Sequence, residues 1–217
     1  MTSTTENRTD DRAAVDPRPA FARAVDLAAD VAAAIGPEHL DAPTPCHGMD
    51  VRSLLDHLAM ALGRAEAAGR GTPLAEWPGE EVSAGDDWAA GLRRAGDAAV
   101  AAWSRADARL TEPIQLPWDT LPGAEALGIY LNEVLVHAWD VARATGQSPA
   151  WDDEVVAVAD ACIRRQLPMA ERGPMWDEAK AQLPEGVPWE DPFADAVPVS
   201  DGAPAIDRLV AWNGRRP

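Results

Sequence analysis

An all-α helical bundle is the fold class this sequence predicts, and three observations predict it. Four long segments carry apolar residues at the three- and four-residue spacing of one helix face. Clusters of Pro and Gly separate those segments, and alternation of the strand kind is confined to one short piece around Ile114 and Leu116. With no internal repeat to build a solenoid, the helices have to bury their faces against one another.

Met1 to Asp16 is rich in Thr, Asp and Arg, low in hydrophobicity, and expected to be a disordered tail, with a single domain from residue 17 to 217. From Arg18, residues Phe21, Val25, Ala28 and Val31 form one stripe that Gly36 and Pro37 stop. After a loop holding Pro37, Pro43, Pro45 and Gly48, Asp50 can cap a second helix with Val51, Leu54, Leu55, Leu58 and Leu62 on its apolar face, ending near Gly69. Asp86 or Asp87 opens a third helix through Trp88, Leu92, Ala95, Ala99 and Trp103. Residues 106–122, with Pro113, Pro117 and Pro122, read as a loop or short extended piece. The fourth helix runs from Gly123 to a Gly146 C-cap, and a fifth from Asp152 or Asp153 to about Pro168. From Gly173 to Pro204 the chain reads as an irregular Pro-rich strap anchored by Trp176, Trp189 and Phe193, before a last short helix over Ala205–Trp212.

Composition excludes several function classes. Nineteen basic against 36 acidic residues leave a net charge of -17, which disfavours nucleic acid and anionic membrane surfaces as partners. The polar N-terminus has neither the apolar run of a signal peptide nor that of a membrane span, so a cytoplasmic protein is expected, a monomer or homodimer acting on a small molecule. Cys46 and Cys162 lack the paired spacing of zinc knuckles and suit a reducing compartment.

Chemistry concentrates on the fourth helix. Glu133 and His137 stand four residues apart, in a column with Ile129, Tyr130 and Val141. An ionised carboxylate on so apolar a face needs a partner, and Glu with His is a pair that zinc sites use. The same spacing also arises as an ordinary polar pair on a helix rim. His57, at the edge of the second helix's apolar stripe, is the natural third ligand of a site with an open position. Asp140 can orient the His137 imidazole, but a pairing with Arg143 is the favoured role for it. Cys46 can approach the mouth of the site or be a small buried turn residue, and the turn is favoured. His39 and His47 are expected to be exposed.

Two segments carry a family resemblance. Asp41–Leu58, with Thr44-Pro45-Cys46-His47-Gly48 and His57, and Asn132–Gly146, with Glu133, His137 and Asp140, resemble the actinobacterial families related to the N-terminal domain of mycothiol-dependent maleylpyruvate isomerase, in the DinB superfamily. The C-terminal Asp207–Val210 and Gly214-Arg215 are similar to the usual ending of those families. The resemblance implies a DinB-like four-helix bundle of up-down-down-up type with an extra C-terminal helix. It also implies a divalent metal on His57, Glu133 and His137, zinc above nickel or iron. It implies a metal-dependent S-transferase or isomerase in which a metal-bound thiolate, from mycothiol or a similar low-molecular-weight thiol, attacks a small electrophile. A non-catalytic metal-binding protein and a metal-free bundle with a small-molecule pocket are the competing readings. Met49 stands where these families usually have Trp, and the chain is expected to lack the isomerase's separate C-terminal domain.

Overall fold

The computed structural model describes residues 15–79, 81–104, 107–181 and 193–217. Residues 1–14 of the expected tail and Trp189 of the expected strap lie outside them.

Among the described residues the chain forms seven α-helices: α1 (Arg18–Ala33), α2 (Val51–Arg70), α3 (Trp88–Ser104), α4 (Gly123–Ala144), α5 (Asp153–Gln166), α6 (Arg172–Ala181) and α7 (Ala205–Trp212). A two-stranded antiparallel hairpin, β1 (Pro113–Gln115) and β2 (Thr120–Pro122), precedes α4 with Ile114 opposite Leu121. The apolar stripes read from sequence are the buried ones: Phe21, Val25, Ala28 and Val31 on α1, and Val51, Leu54, Leu55, Leu58 and Leu62 on α2. Local chemistry sets the helix ends. Asp50 caps α2 by accepting from the Ser53 amide at 2.8 Å, and Asp152 caps α5 by accepting from the Glu154 and Val155 amides. Gly71, at φ 72°, ends α2 in the left-handed conformation that costs a side-chain-bearing residue most.

Contacts between helix ends give the topology. Trp88 at the start of α3 donates its indole N–H to the Ala32 carbonyl at the end of α1, so these two run antiparallel. Trp103 near the end of α3 donates to Ala65 near the end of α2, which makes α2 and α3 parallel. Gly123 at the start of α4 lies against Arg109 just beyond α3, and Gln147 just beyond α4 reaches Val31 late in α1. The order is therefore up-down-down-up, a DinB-like all-α bundle in which α4 runs antiparallel to α2. Helix α5 packs on α4 and α1, and α7 packs on α5 and α4.

One expectation needs correcting. The strap does not begin at Gly173, because residues 172–181 are helical. Pro174 sits in the first turn of α6, where a missing N–H breaks no helical hydrogen bond, so the proline starts the helix. Trp176 does anchor this segment: it is buried and donates its N–H to the Phe193 carbonyl at 2.9 Å. A second strap was not foreseen, since the connector from α2 to α3 runs back along α2. Pro78 lies against Gly63 and accepts from Arg64, and the Ser83 hydroxyl and Ala84 amide donate to Asp56.

Candidate metal centre

Helix α4 is the most apolar of the long helices and the one that crosses the core, with residues 123 and 126–142 buried apart from Glu133. Asn132, Glu133 and Asp140 stand on its buried length where another element meets them. His57 on α2 lies opposite Glu133, its Nε2 3.0 Å from Glu133 Oε1, a distance at which an N–H there donates to the carboxylate. The His57 and His137 rings stand edge to face, 4.9 Å between centroids and 83° between planes. One donor atom from each of His57, Glu133 and His137 lies within 4.8 Å of the others. Sequence reasoning named these three residues, and the structure brings them together across α2 and α4.

Behind them stands a support that sequence reasoning only partly found. His137 Nδ1 lies 3.1 Å from Asp140 Oδ2, which leaves Nε2 as the nitrogen not engaged by Asp140. Asp140 is fully buried and is gripped from its other side by Arg215, whose Nη2 donates to Oδ2 at 3.0 Å and Nε to Oδ1 at 3.3 Å. The expected pairing of Asp140 with Arg143 does not form. Asp140 shares the inward face of α4 with His137, whereas Arg143 is on the exposed side and lies over the Trp139 ring. Arg215 was visible in the sequence only as part of a C-terminal ending, and nothing in its spacing points to Asp140. A reciprocal amide pair holds that C-terminal segment in place: Asn132 and Asn213 donate to each other at 2.9 Å in both directions, and both are fully buried.

The electrostatics follow from this geometry. Burial pushes the Glu133 carboxyl up, but the His57 hydrogen bond, with the two neighbouring imidazoles and the Arg64 charge, outweighs it and holds it below its ordinary value. Asp140 behaves alike: desolvation raises it, and His137 and Arg215 bring it below the usual carboxylate range. Burial lowers His137, more than Asp140 can restore, so its imidazole stays neutral, the form that ligates metal. Tyr130, one turn before Glu133, is pushed well above its ordinary value, first by burial and then by the Glu133 charge.

The donor set fits a divalent ion of the zinc kind. Two imidazoles and one carboxylate make the His2Glu set of open catalytic zinc sites, and the 3.0 Å between His57 and Glu133 is close to the ~3.3 Å ligand edge of a tetrahedron with ~2.0 Å bonds. A carboxylate behind a ligating histidine fixes the ring and its tautomer. Cys46 is half-buried and reaches the back of this arrangement, where its sulfur forms a second cluster with His137 and Asp140, again within 4.8 Å. The favoured turn reading does not foresee this closeness, although the turn is real: the Cys46 amide and carbonyl both bond the Thr44 hydroxyl. As a metal position the second cluster is the poorer one, because Arg215 already occupies both Asp140 oxygens and would sit beside the ion. His47 is exposed, and His39 is partly buried with Nδ1 accepting from the Gly36 amide at 3.3 Å.

Comparison with known proteins bears on this arrangement. Residues 21–142, over half of the chain, match the model of the mycothiol maleylpyruvate isomerase N-terminal domain, a stretch that contains Cys46, His57, Glu133, His137 and Asp140. The chain belongs to this mycothiol-related, DinB-like family. Among its relatives are uncharacterized proteins from two strains of Mycobacterium tuberculosis, each 30% identical over 203 residues that cover 93% of this chain and 98% of the relative. No solved structure matches at a significant level. Among the described residues no helix is long and apolar enough to cross a membrane.

Proposed function

We propose that this protein is a cytoplasmic metal-dependent thiol S-transferase or isomerase that joins a low-molecular-weight thiol such as mycothiol to a small electrophile. The observation that carries the reading is the convergence of His57, Glu133 and His137 donor atoms, with Asp140 and Arg215 aligned behind His137. A divalent ion held there, zinc above nickel or iron, supplies Lewis acidity that keeps a bound thiol deprotonated at neutral pH. The protein's part is positional. His57 and Glu133 come from antiparallel helices whose packing fixes their separation, and Asp140 engages His137 Nδ1, which leaves Nε2 as the nitrogen free to ligate. Apolar residues of α2 and α4 flank the site, while the His57 and Glu133 side chains keep part of their surface open for a ligand to approach.

The test begins with metal content. Purified protein should carry one equivalent of metal, and His137→Ala should abolish both that equivalent and the thermal stabilisation by added Zn2+. Metal-free protein whose melting ignores both Zn2+ and the substitution would refute the site. Metal-loaded protein incubated with mycothiol and a panel of electrophiles then separates enzyme from binder: adduct formation above the His57→Ala background supports catalysis. Its absence across the panel would leave a metal-binding protein without turnover.

A further inference from the structure

Two polar groups beside the candidate centre keep hydrogen-bonding capacity that the fold does not fill. Tyr130, the chain's single tyrosine, is 3% exposed and its hydroxyl has no hydrogen-bond partner. A buried hydroxyl left unsatisfied is costly, and phenylalanine would fill the same space without that cost. Arg64 on α2 is half-buried; its Nε donates to the Pro78 carbonyl at 2.9 Å, and no ion pair among the described residues engages its guanidinium. Glu81, an exposed carboxylate on the connector, feels its charge.

Their placement brings them together. Helices α2 and α4 run antiparallel and meet where His57 faces Glu133. Arg64 follows His57 by seven residues, two turns along the same face of α2, and Tyr130 precedes Glu133 by three, so both lie toward the same end of the site. The fields agree with the register: the Tyr130 hydroxyl feels both the Glu133 and the Arg64 charge, and Arg64 also acts on Glu133. Pro78, seated against Gly63, fixes the guanidinium from the connector side. What the pair offers is a cation and a phenolic O–H, both donors.

We propose that Arg64 and Tyr130 form an oxyanion subsite that selects ligands carrying a carboxylate between about 5 and 10 Å from the atom at the His57, Glu133 and His137 centre, the axial rise of three to seven helical residues. The distance selected rests on the metal reading above, whereas the subsite itself is made of protein groups alone. The same carboxylate can belong to the thiol or to the second substrate, and the two are separated below.

Cobalt-loaded protein, in which thiolate binding is read from a sulfur-to-cobalt charge-transfer band, is titrated with mercaptohexanoate and with the equally long, uncharged mercaptohexanol. The acid should bind roughly tenfold tighter, the worth of one charge-assisted hydrogen bond. Arg64→Gln and Tyr130→Phe should each remove most of that advantage while leaving mercaptohexanol affinity and cobalt stoichiometry unchanged, and Arg64→Lys should retain part of it. Equal binding of acid and alcohol by the parent protein, or an advantage intact in both variants, would overturn the subsite. Hexanoate added to protein saturated with mercaptohexanol assigns the carboxylate to a second substrate if it binds, and to the thiol's own tail if it is excluded. Should the parent protein take up no cobalt, it is the metal reading that fails, and the subsite is decided by melting the protein in hexanoate against chloride at equal ionic strength. Stabilisation specific to hexanoate and absent in Arg64→Gln upholds it; no specific stabilisation overturns it.

Discussion

Replacing Asp140 by asparagine probes the hidden half of the site. The carboxylate is fully buried and serves two partners, His137 at 3.1 Å and Arg215 at 3.0 and 3.3 Å. Asparagine keeps the shape and an acceptor for His137, but it removes the charge and leaves the Arg215 guanidinium, 8% exposed, without a counter-ion. Removing one member of a buried pair costs about 3–5 kcal/mol. At ~2–4 °C per kcal/mol for a domain of this size, Tm should fall by roughly 6–20 °C. Arg215→Met alone should cost a comparable amount, while the double variant, with no charge left unpaired, should cost clearly less than the sum, a coupling of about 1–3 kcal/mol. Urea unfolding of the four proteins gives the cycle. The pH dependence has a definite sign: the Asp140 pKa is depressed in the folded state, so its contribution is present above the ordinary carboxylate value of 3.8 and lost as pH falls through the folded value. The gap between parent and Asp140→Asn should therefore be constant at neutral pH and close only below about pH 4. Additive single effects, or a gap that closes between pH 7 and 5, would refute the description of Asp140 as an ion-paired bridge.

Other consequences are simpler to check. In metal-loaded protein Asp140→Asn should also weaken the metal by about 10–100-fold, read by competition with a chelator, because the ring it orients is a ligand. Asn213→Ala strips Asn132 of both amide bonds and should cost about 2–4 kcal/mol by denaturant unfolding. Gly96→Ala places a methyl 2.3 Å from Val25 Cγ1 and should destabilise by about 1–3 kcal/mol; Val25→Ala in the same chain should restore much of that loss, since the remaining Val25 Cβ is 3.7 Å away. Burial raises the Cys162 thiol above its ordinary value, so iodoacetamide at pH 7 should leave Cys162 unmodified in folded protein and alkylate it after unfolding, as mass spectrometry of the peptides would report.

The bundle was legible because periodicity is a local property. The stripe through Phe21, Val25, Ala28 and Val31 and the run from Val51 to Leu62 announce their own buried faces, and Asp50 and Asp152 announce their caps. Where local signals compete, legibility drops. Pro174 reads equally as the breaker of a strap or the first turn of a helix, and the choice depends on Trp176 finding a burial site and the Phe193 carbonyl, which are tertiary facts. The connector from Gly69 to Gly85 is legible as a connector, but its packing back along α2 is not: its bonds to Asp56 and Arg64 are side-chain matters that turn composition does not encode.

The candidate centre divides along that line too. His57, Glu133 and His137 could be named from sequence because a carboxylate and imidazoles on apolar helix faces demand compensation, and that demand is written where they stand. Asp140 made the same demand, and the nearest cation, Arg143, answered it wrongly: the i,i+3 spacing is within reach, but Arg143 lies on the exposed side over the Trp139 ring while Asp140 points inward. The true partner lies 75 residues away, at the C-terminus, on a segment that the Asn132–Asn213 pair docks onto α4. Each link in that chain, Asn213 to Asn132, Arg215 to Asp140, Asp140 to His137, leaves a buried polar group unsatisfied if the next is removed. The C-terminal residues are thus part of the centre's rigidity, and shortening the chain by its last five residues should loosen His137 before it unfolds the bundle. Hydrogen exchange would reveal this as lost protection at residues 137–141 with α2 and α3 still protected, whereas uniform loss across all four bundle helices would mean that the C-terminal segment supports the fold at large and not the centre.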